Sequence, residues 1–249
     1  MINKNLLITG GSTRIGRGIA LHFSKRGWNI AIHYFKSSSE AKKLKSIIEK
    51  NSVKVVLIKA DLRNTKQVKK IIPSAVKKLG KISCLINNAA LFEKDDILNF
   101  TNKSWNDHLN INLLAPAILI KHFAKQAPRK TLSNIINIID QRVFKLTPVF
   151  MSYTLSKGAL YTLTKTMAMK LSPKIKVNGI APGPTIKNKR QSTKHFDKQS
   201  NSTLLKKPVA IQDICDTVEF LIENNSVTGQ VIAVDSGQNL TWDTKSEKE

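Results

Sequence analysis

Residues 6–16 of this chain are LLITGGSTRIG, an apolar run that passes directly into a glycine-rich turn. The run is typical of a short buried strand, and a helical pattern of apolar residues follows it. Glycines at such a turn let the backbone approach a pyrophosphate, and the N-terminus of the following helix offers unpaired N–H groups to it. The alternative is a tight turn without a ligand. The segment predicts a dinucleotide site that contains Gly10, Ser12, Arg14, Ile15 and Gly16.

Further apolar runs alternate with helical patterns along the chain. The predicted strands are Leu6–Thr9, Asn29–Phe35, Val53–Ala60, Ile82–Asn87, Asn134–Ile139, Ile175–Ala181 and Val231–Val234. The predicted helices are Ile15–Arg26, Ser39–Lys50, Thr65–Leu79, Ser104–Gln126, Tyr153–Leu171 and Ile211–Glu223. Strands that are apolar on both faces and alternate with helices predict an α/β fold, a Rossmann-type doubly wound parallel sheet of seven strands with helices on both faces.

The chain of 249 residues is compatible with one such domain, predicted for residues 1–242, followed by a charged tail at 243–249. The one long irregular stretch is Pro182–Pro208, and connections of that length are usually functional. Residues 184–207 are therefore predicted to form a substrate loop.

Composition limits the classes of partner and compartment. The net charge of +24 suggests nucleic acid, but the lysines are scattered without interleaved aromatics, which favours solvated faces. The positive field would also attract anionic cofactors and substrates. No apolar run approaches the roughly 20 residues that span a bilayer. Isolated Cys84 and Cys215, together with an N-terminus that offers no secretory segment, predict a cytoplasmic protein without structural metal.

Tyr153 and Lys157 lie four residues apart on one predicted helix, so they share a face of it. A phenol beside an ammonium is a proton donor whose anion the positive charge stabilises. Asp140, thirteen residues before Tyr153, closes an apolar strand, where open α/β sheets bind their ligands.

The end of the second strand indicates which cofactor is bound. NAD sites usually place an acid there for the ribose 2′-hydroxyl, but residues 32–39 are IHYFKSSS and the first acid is Glu40. Lys36, Ser37 and Arg14 are instead suited to a 2′-phosphate. The sequence therefore favours NADP, with an ordinary solvated helix cap at Ser38 or Ser39 as the alternative.

Taken together, these motifs resemble the short-chain dehydrogenase/reductase family over nearly the whole chain. The resemblance implies that Asp61 lies by the adenine, with Leu62 next to it at the cofactor, and that the Asn-Asn-Ala turn of Asn87-Asn88-Ala89-Ala90 stabilises the sheet beside the cofactor, which Asn88 and Ala89 contact. It also implies that Tyr153 is the acid and that Lys157 binds the nicotinamide ribose. Asn112 would support a water path, and Pro182 and Gly183 match a further family motif.

Two departures from the family pattern resemble its pteridine reductase and dihydromonapterin/dihydrofolate reductase branch. Arg14 replaces the middle glycine of the first turn, and Asp140 replaces the catalytic serine. The branch resemblance implies that Phe92 stacks a pterin against the nicotinamide, and that His33 and Tyr34 belong to the NADP-phosphate pocket. The alternatives are that Phe92 belongs to the core and that Asp140 caps a helix, forms a salt bridge or disables the chemistry.

The carboxylate at position 140 favours one reaction over another. An ionised Asp only accepts hydrogen bonds and would repel a developing alkoxide, so ketone reduction fits poorly. The sequence predicts an NADPH-dependent reductase of a C=N bond in a reduced pterin or folate, with Asp140, Tyr153, Lys157 and Asn112 as its catalytic residues and Phe92, Asp140 and Tyr153 as its substrate contacts. The alternatives are a carbonyl reductase of a 3-oxoacyl thioester and a non-catalytic nucleotide-sensing or nucleic-acid-binding protein. Two strongly apolar helices, together with the family resemblance, predict a homotetramer.

Overall fold

The computed structural model describes residues 4–128, 131–188 and 191–241. Its strands are β1 (Asn5–Ile8), β2 (Asn29–Tyr34), β3 (Val55–Lys59), β4 (Cys84–Asn87), β5 (Ser133–Ile138), β6 (Ile175–Pro182) and β7 (Val231–Val234). Its helices are α1 (Arg14–Ser24), α2 (Ser38–Glu49), α3 (Thr65–Leu79), α4 (Asn102–Leu109), α5 (Ala115–Gln126), α6 (Met151–Leu171), α7 (Thr193–Asn201) and α8 (Ile211–Glu223).

The strands form one parallel sheet in the order β3-β2-β1-β4-β5-β6-β7. The first half of the chain adds β2 and β3 on one side of β1, and the second half adds β4 to β7 on the other side. The carboxyl ends of β1 and β4 therefore meet at a topological switch point. The predicted doubly wound fold is confirmed. Among the described residues, no helix is long and apolar enough to cross a membrane.

Alternating strand side chains build a core on each face of the sheet. In β1, Leu6 and Ile8 belong to one core while Leu7 belongs to the other, as the period of two in a strand requires. The first core is covered by α1, α2 and α8, and the second by α3, α5 and α6. The strands are apolar on both faces because a helix layer buries each face of the sheet.

The single helix predicted for Ser104–Gln126 is wrong in one respect. A π-helical segment, Asn110–Leu114, separates α4 from α5. Pro116 has no N–H and so cannot bond to the carbonyl of Asn112 four residues earlier, which removes one α-helical bond at this position. Single π turns inside α-helices are frequent at functional sites, and this one carries Asn112.

The irregular stretch predicted between Pro182 and Pro208 is also partly wrong, because it contains α7. Sequence pattern missed this helix because its segment, TKHFDKQSN, has almost no apolar residues with helical spacing. Its local signal is a cap, since Ser192 Oγ accepts the N–H of His195 at 3.1 Å. The charged tail predicted at 243–249 lies outside the described residues.

Candidate active site

The turn after β1 needs glycine for conformational and steric reasons. Gly10 has φ +60°, in the left-handed region that side chains rarely adopt. A Cβ on Gly16 would lie 2.4 Å from the carbonyl oxygen of Gly10, so the start of α1 can pack this closely only without a side chain. Thr13 makes no capping bond with its side chain, and the first turn of α1 contains no acid. The turn therefore suits an anion at the N-terminus of α1.

Threonine and asparagine side chains tie this turn to the end of β4. Thr9 Oγ1 accepts the backbone N–H groups of Asn88 and Ala89, each at 3.0 Å. In return, Asn88 Nδ2 donates to the carbonyls of Thr9 at 2.8 Å and Gly10 at 3.1 Å. The segment expected to stabilise the sheet beside the cofactor thus lies directly against the glycine turn.

His33 supports the same turn from inside the protein. Its Nδ1 accepts the N–H of Gly10 at 3.2 Å, so the ring proton is on Nε2, which donates to the carbonyl of Ala60 at 3.1 Å. Burial lowers the pKa of His33 to about 4, and the imidazole is neutral at pH 7. Both nitrogens are bonded to backbone, so His33 would contribute to a phosphate pocket by holding the turn in place.

The residues of the predicted phosphate pocket gather at the end of β2. Ser12 and Ser37 join through their hydroxyl oxygens at 2.6 Å, and Tyr34 and Lys36 lie at the same strand end. Among the described residues, no acid is nearer along the chain than Glu40, in the first turn of α2. The pocket therefore combines hydroxyls with a positive charge, as a phosphate requires.

Asp61, predicted to lie by the adenine, is paired with Arg63, which sequence analysis did not single out. The shortest distance, between Arg63 Nη2 and Asp61 Oδ2, is 2.7 Å, and this pairing lowers the pKa of Asp61. The Arg63 guanidinium lies 5.5 Å from the ring centroid of Phe35, while Leu62 is buried. An exposed guanidinium held over an aromatic ring is suited to a flat heterocycle.

Arg14 joins the first turn to the segment after β6. Its backbone has φ +53°, the region in which the family glycine is unstrained. Its guanidinium donates to the carbonyls of Ile186 at 2.7 Å and Lys187 at 3.0 Å, in the segment predicted to be the substrate loop. Just before that segment, a Cβ on Gly183 would lie 2.7 Å from Asp235 Cα, so Pro182-Gly183 turns closely against the end of β7.

The central pair of the site is Tyr153 on α6 and Asp140 after β5. The Tyr153 hydroxyl donates to Asp140 Oδ2 at 2.8 Å. The other carboxylate oxygen, Oδ1, accepts the backbone N–H of Arg142 at 2.9 Å and its Nη1 at 3.3 Å. Asp140 also begins a short 3₁₀ turn at 141–143, so the expected alternative of a cap with a salt bridge is present together with the bond to Tyr153.

The electrostatics of Tyr153 differ from the sequence expectation, which was that Lys157 lowers its pKa. Burial raises the pKa of Tyr153 well above its usual value, and the charge and hydrogen bond of Asp140 raise it further, while Arg142 opposes them. Lys157 Nζ donates to the carbonyl of Ile138 at 2.7 Å and lies 5.8 Å from the phenol ring centroid. Burial in turn lowers the pKa of Lys157 to about 8. The expectation is wrong because the carboxylate bonds to the phenol directly and the ammonium does not.

Asn112 joins α6 to the loop after β4. Its Nδ2 donates to Leu91 O at 3.0 Å and to Ser156 Oγ at 2.9 Å, while its Oδ1 accepts the N–H of Leu91 at 2.8 Å. These bonds fix the position of the residue that precedes Phe92. Ser156 was missed by the sequence analysis, although it lies between Tyr153 and Lys157 in the chain.

Phe92 forms an aromatic cluster at the site. Its ring stacks on Phe150 with centroids 4.5 Å apart and an interplanar angle of 11°, and it meets Tyr153 edge to face at 4.6 Å. Phe150 precedes α6 with φ +63°. Buried Asp95 holds this junction, because its Oδ1 accepts the N–H of Ser152 at 3.0 Å and its carbonyl accepts that of Phe150 at 2.8 Å. Nothing in the local sequence marked Phe150 or Asp95.

The comparisons with known proteins agree with this geometry. A family model described as enoyl-(acyl carrier protein) reductase matches residues 11–239. The chain belongs to the short-chain dehydrogenase/reductase family of oxidoreductases. A 3-oxoacyl-(acyl-carrier-protein) reductase, FabG, from Staphylococcus epidermidis is 30% identical over 244 residues, covering 96% of this chain and 100% of the relative. The family predicted from the sequence is therefore confirmed.

Solved structures of other family members are similar over nearly the whole chain. FolM alternative dihydrofolate reductase 1 from Brucella canis, complexed with NADP, is 37% identical with a TM-score of 0.93, and the match covers 99% of this chain and 98% of that one. The Brucella suis protein, also with NADP, is 37% identical with a TM-score of 0.95 and 99% coverage of both chains. These similarities agree with the predicted branch of the family.

Proposed function

We propose that this protein is an NADPH-dependent reductase of a C=N bond in a reduced pterin or folate. The observation that carries the proposal is the carboxylate of Asp140, bonded to Tyr153 at 2.8 Å where the family places a serine. The similarity to two dihydrofolate reductases of the FolM type, both complexed with NADP, supports it. The choice of NADPH as cofactor also rests on Lys36 and Ser37 after β2 and on Ser12, whose hydroxyl joins that of Ser37.

The residues present fit this cofactor. The N-terminus of α1 would face the pyrophosphate across Gly10 and Gly16, and Lys36 with the two serines would hold the 2′-phosphate. Lys157 would bind the nicotinamide ribose, with Asn88 and Ala89 beside it. When bound, NADPH supplies a hydride to the carbon of the C=N bond.

Proton transfer to the nitrogen is the task of the Tyr153–Asp140 pair. If Tyr153 gave up its proton beside an ionised Asp140, two negative charges would adjoin in a buried site, which the raised pKa of Tyr153 opposes. We therefore propose that Asp140 first takes a proton from solvent. The pair then delivers one proton to the ring nitrogen and returns to its resting state, phenol and carboxylate, without a buried phenolate.

The heterocycle would lie by Phe92, which already presents an aromatic surface beside the phenol. A neutral ring needs less charge compensation than an alkoxide, and its N–H or amino edge can donate to a carboxylate. The alternative, reduction of a 3-oxoacyl thioester, is favoured by the FabG relatives. It would need the Tyr153 hydroxyl, which donates to Asp140 in the resting arrangement, to turn toward a developing oxyanion.

Steady-state NADPH oxidation against a panel tests the proposal. The panel contains dihydrofolate, dihydrobiopterin, dihydromonapterin, quinonoid dihydropterin and acetoacetyl thioester. We expect at least one of the pterin or folate substrates to give the highest kcat/KM. A higher value for the thioester would favour the carbonyl reductase, and no turnover with any substrate would favour a binding protein.

We also propose a homotetramer, because apolar side chains remain exposed on the long helices. Leu114, at the end of the π segment, is 41% exposed, and Leu155 and Met169 on α6 are 50% and 75% exposed, although α5 and α6 already cover the sheet with other residues. Light scattering at moderate salt should give a mass four times that of one chain. A mass near that of a single chain at micromolar concentration would remove the proposal.

A further inference from the structure

Arg142 contacts both the proton-donating pair and the aromatic pair. Its Nη1 lies 3.3 Å from Asp140 Oδ1, and its guanidinium carbon lies 5.2 Å from the ring centroids of both Phe92 and Phe150. The side chain is only 15% exposed. Its Nε is buried without a hydrogen-bond partner among the described residues. The carboxylate and the two rings are therefore the contacts that hold this guanidinium.

We propose that Arg142 is a positioning residue that orients the Asp140 carboxylate toward Tyr153 and fixes it relative to Phe92. The reaction it serves is the proposed pterin or folate reduction, and on this point the inference rests on the proposed function. Arg142 acts through Asp140 and the rings, so it needs no contact with substrate.

The hydrogen bonds explain how the carboxylate is oriented. Oδ1 is bonded to the backbone N–H and the guanidinium of Arg142, which leaves Oδ2 for the Tyr153 hydroxyl. A rotation of the carboxylate would break these bonds together, so each bond supports the others. Without the guanidinium, one backbone N–H would remain to hold Oδ1.

The charge of Arg142 also acts on the phenol. Of the charged groups that affect the pKa of Tyr153, Asp140 raises it and Arg142 lowers it. Removing the guanidinium would therefore raise the pKa of Tyr153 further. Through its hydrogen bond to Asp140 and through its charge, Arg142 therefore affects Tyr153 without bonding to it, and its loss should change the environment of Tyr153.

Lysine would replace only part of this role. The planar guanidinium can donate to a carboxylate while its face or edge rests on aromatic rings, whereas an ammonium is a compact and strongly hydrated charge. Arg142→Lys should thus keep most of the electrostatic effect on Tyr153 and lose the fixed geometry. Arg142→Gln should lose both.

Tyrosine NMR tests the inference without any substrate. The chain has three tyrosines, Tyr34, Tyr153 and Tyr161, so [Cζ-¹³C]tyrosine labelling gives three signals, and Tyr153→Phe assigns the relevant one. In Arg142→Gln, the Tyr153 signal should shift and its alkaline titration should move to higher pH, with a smaller change in Arg142→Lys. Arg26→Lys is the matched control, because Arg26 pairs with Glu219 far along the chain from the site. It should leave the Tyr153 signal unchanged.

Kinetics supply the second readout. Arg142→Gln should lower kcat by roughly 10²-fold, the cost of misplacing a catalytic group, while the NADPH Kd stays the same. A Tyr153 signal that is unchanged in both Arg142 variants would overturn the inference, even if pterins are reduced. If the signal moves but no pterin or folate is reduced by the wild type, the proposed function falls and the positioning of Tyr153 by Arg142 stands.

Discussion

The Tyr153 hydroxyl donates a hydrogen bond to Asp140 Oδ2 across 2.8 Å, so the buried phenol and the half-buried carboxylate form one pair. In the resting arrangement this proton faces the protein and not a substrate. Any substrate that takes a proton from the pair must compete with a carboxylate for it. In the proposed reaction this acceptor is the ring nitrogen of the C=N bond.

Tyr153→Phe should remove one member of the pair while keeping the ring. We expect kcat to fall by about 10²–10⁴-fold, the usual contribution of general acid catalysis, with an unchanged Kd for NADPH. Tyr161→Phe is the control, because Tyr161 lies on the same helix and packs against Phe144 instead. Retention of more than a tenth of the wild-type kcat would exclude Tyr153 as the acid.

NADPH should bind much more tightly than NADH. The end of β2 offers Lys36, Ser37 and Ser12 but no acid for a ribose 2′-hydroxyl, and a charge-assisted contact to a phosphate is strong. Fluorescence titration with both cofactors measures the difference. Lys36→Glu should reduce the preference, and equal affinities in the wild type would contradict the assignment of the pocket.

The affinity for NADPH should depend on pH through Lys157. Burial lowers its pKa to about 8, so the ammonium is charged below pH 8 and is lost as the pH rises through that value. Its hydrogen bonds to a ribose weaken accordingly, and Kd should increase above pH 8. Asp140 raises the pKa of Lys157, so Asp140→Asn should move this transition to lower pH. A transition that stays in place would show that another group controls it.

His33 should make the fold sensitive to mild acid. Its folded pKa is about 4, against 6.5 in the unfolded chain, so the unfolded state binds the proton first. Stability is therefore lost as the pH falls from 6.5 toward 4, by about 3 kcal/mol for this group. Denaturant midpoints at pH 7 and pH 4.5 should differ more in the wild type than in His33→Gln. An equal difference in both proteins would assign the loss to other groups.

The sequence predicted the sheet and the glycine turn. It also predicted that Tyr153 and Lys157 share a helix face and that Asp140 closes a strand, because all of these depend on local patterns. It did not predict which distant residues hold the elements of the site in place. Arg14 bonds to carbonyls more than 170 residues away, and Asp95 holds the start of α6 from 57 residues before it. No local pattern encodes such a partner.

The apolar pattern also did not predict helices that are polar or interrupted. The helix α7 lacks apolar periodicity, and the π segment around Asn112, just before Pro116, interrupts an otherwise regular helical pattern. The pKa of Tyr153 differs from the expectation for a related reason. Sequence spacing places Lys157 near the phenol, but the direct hydrogen bond from the phenol to Asp140 appears only when β5 and α6 pack together.

The most direct test of the central claim is a competition between the two candidate substrates. The protein receives equal concentrations of the preferred dihydropterin or dihydrofolate and acetoacetyl thioester, with NADPH deuterated at the transferred position. We predict that deuterium appears on the ring carbon of the reduced C=N bond, and that Asp140→Ser shifts it toward the hydroxyl-bearing carbon of the thioester product. Deuterium found mainly in the thioester product of the wild type, or the same partition in Asp140→Ser, would contradict the account.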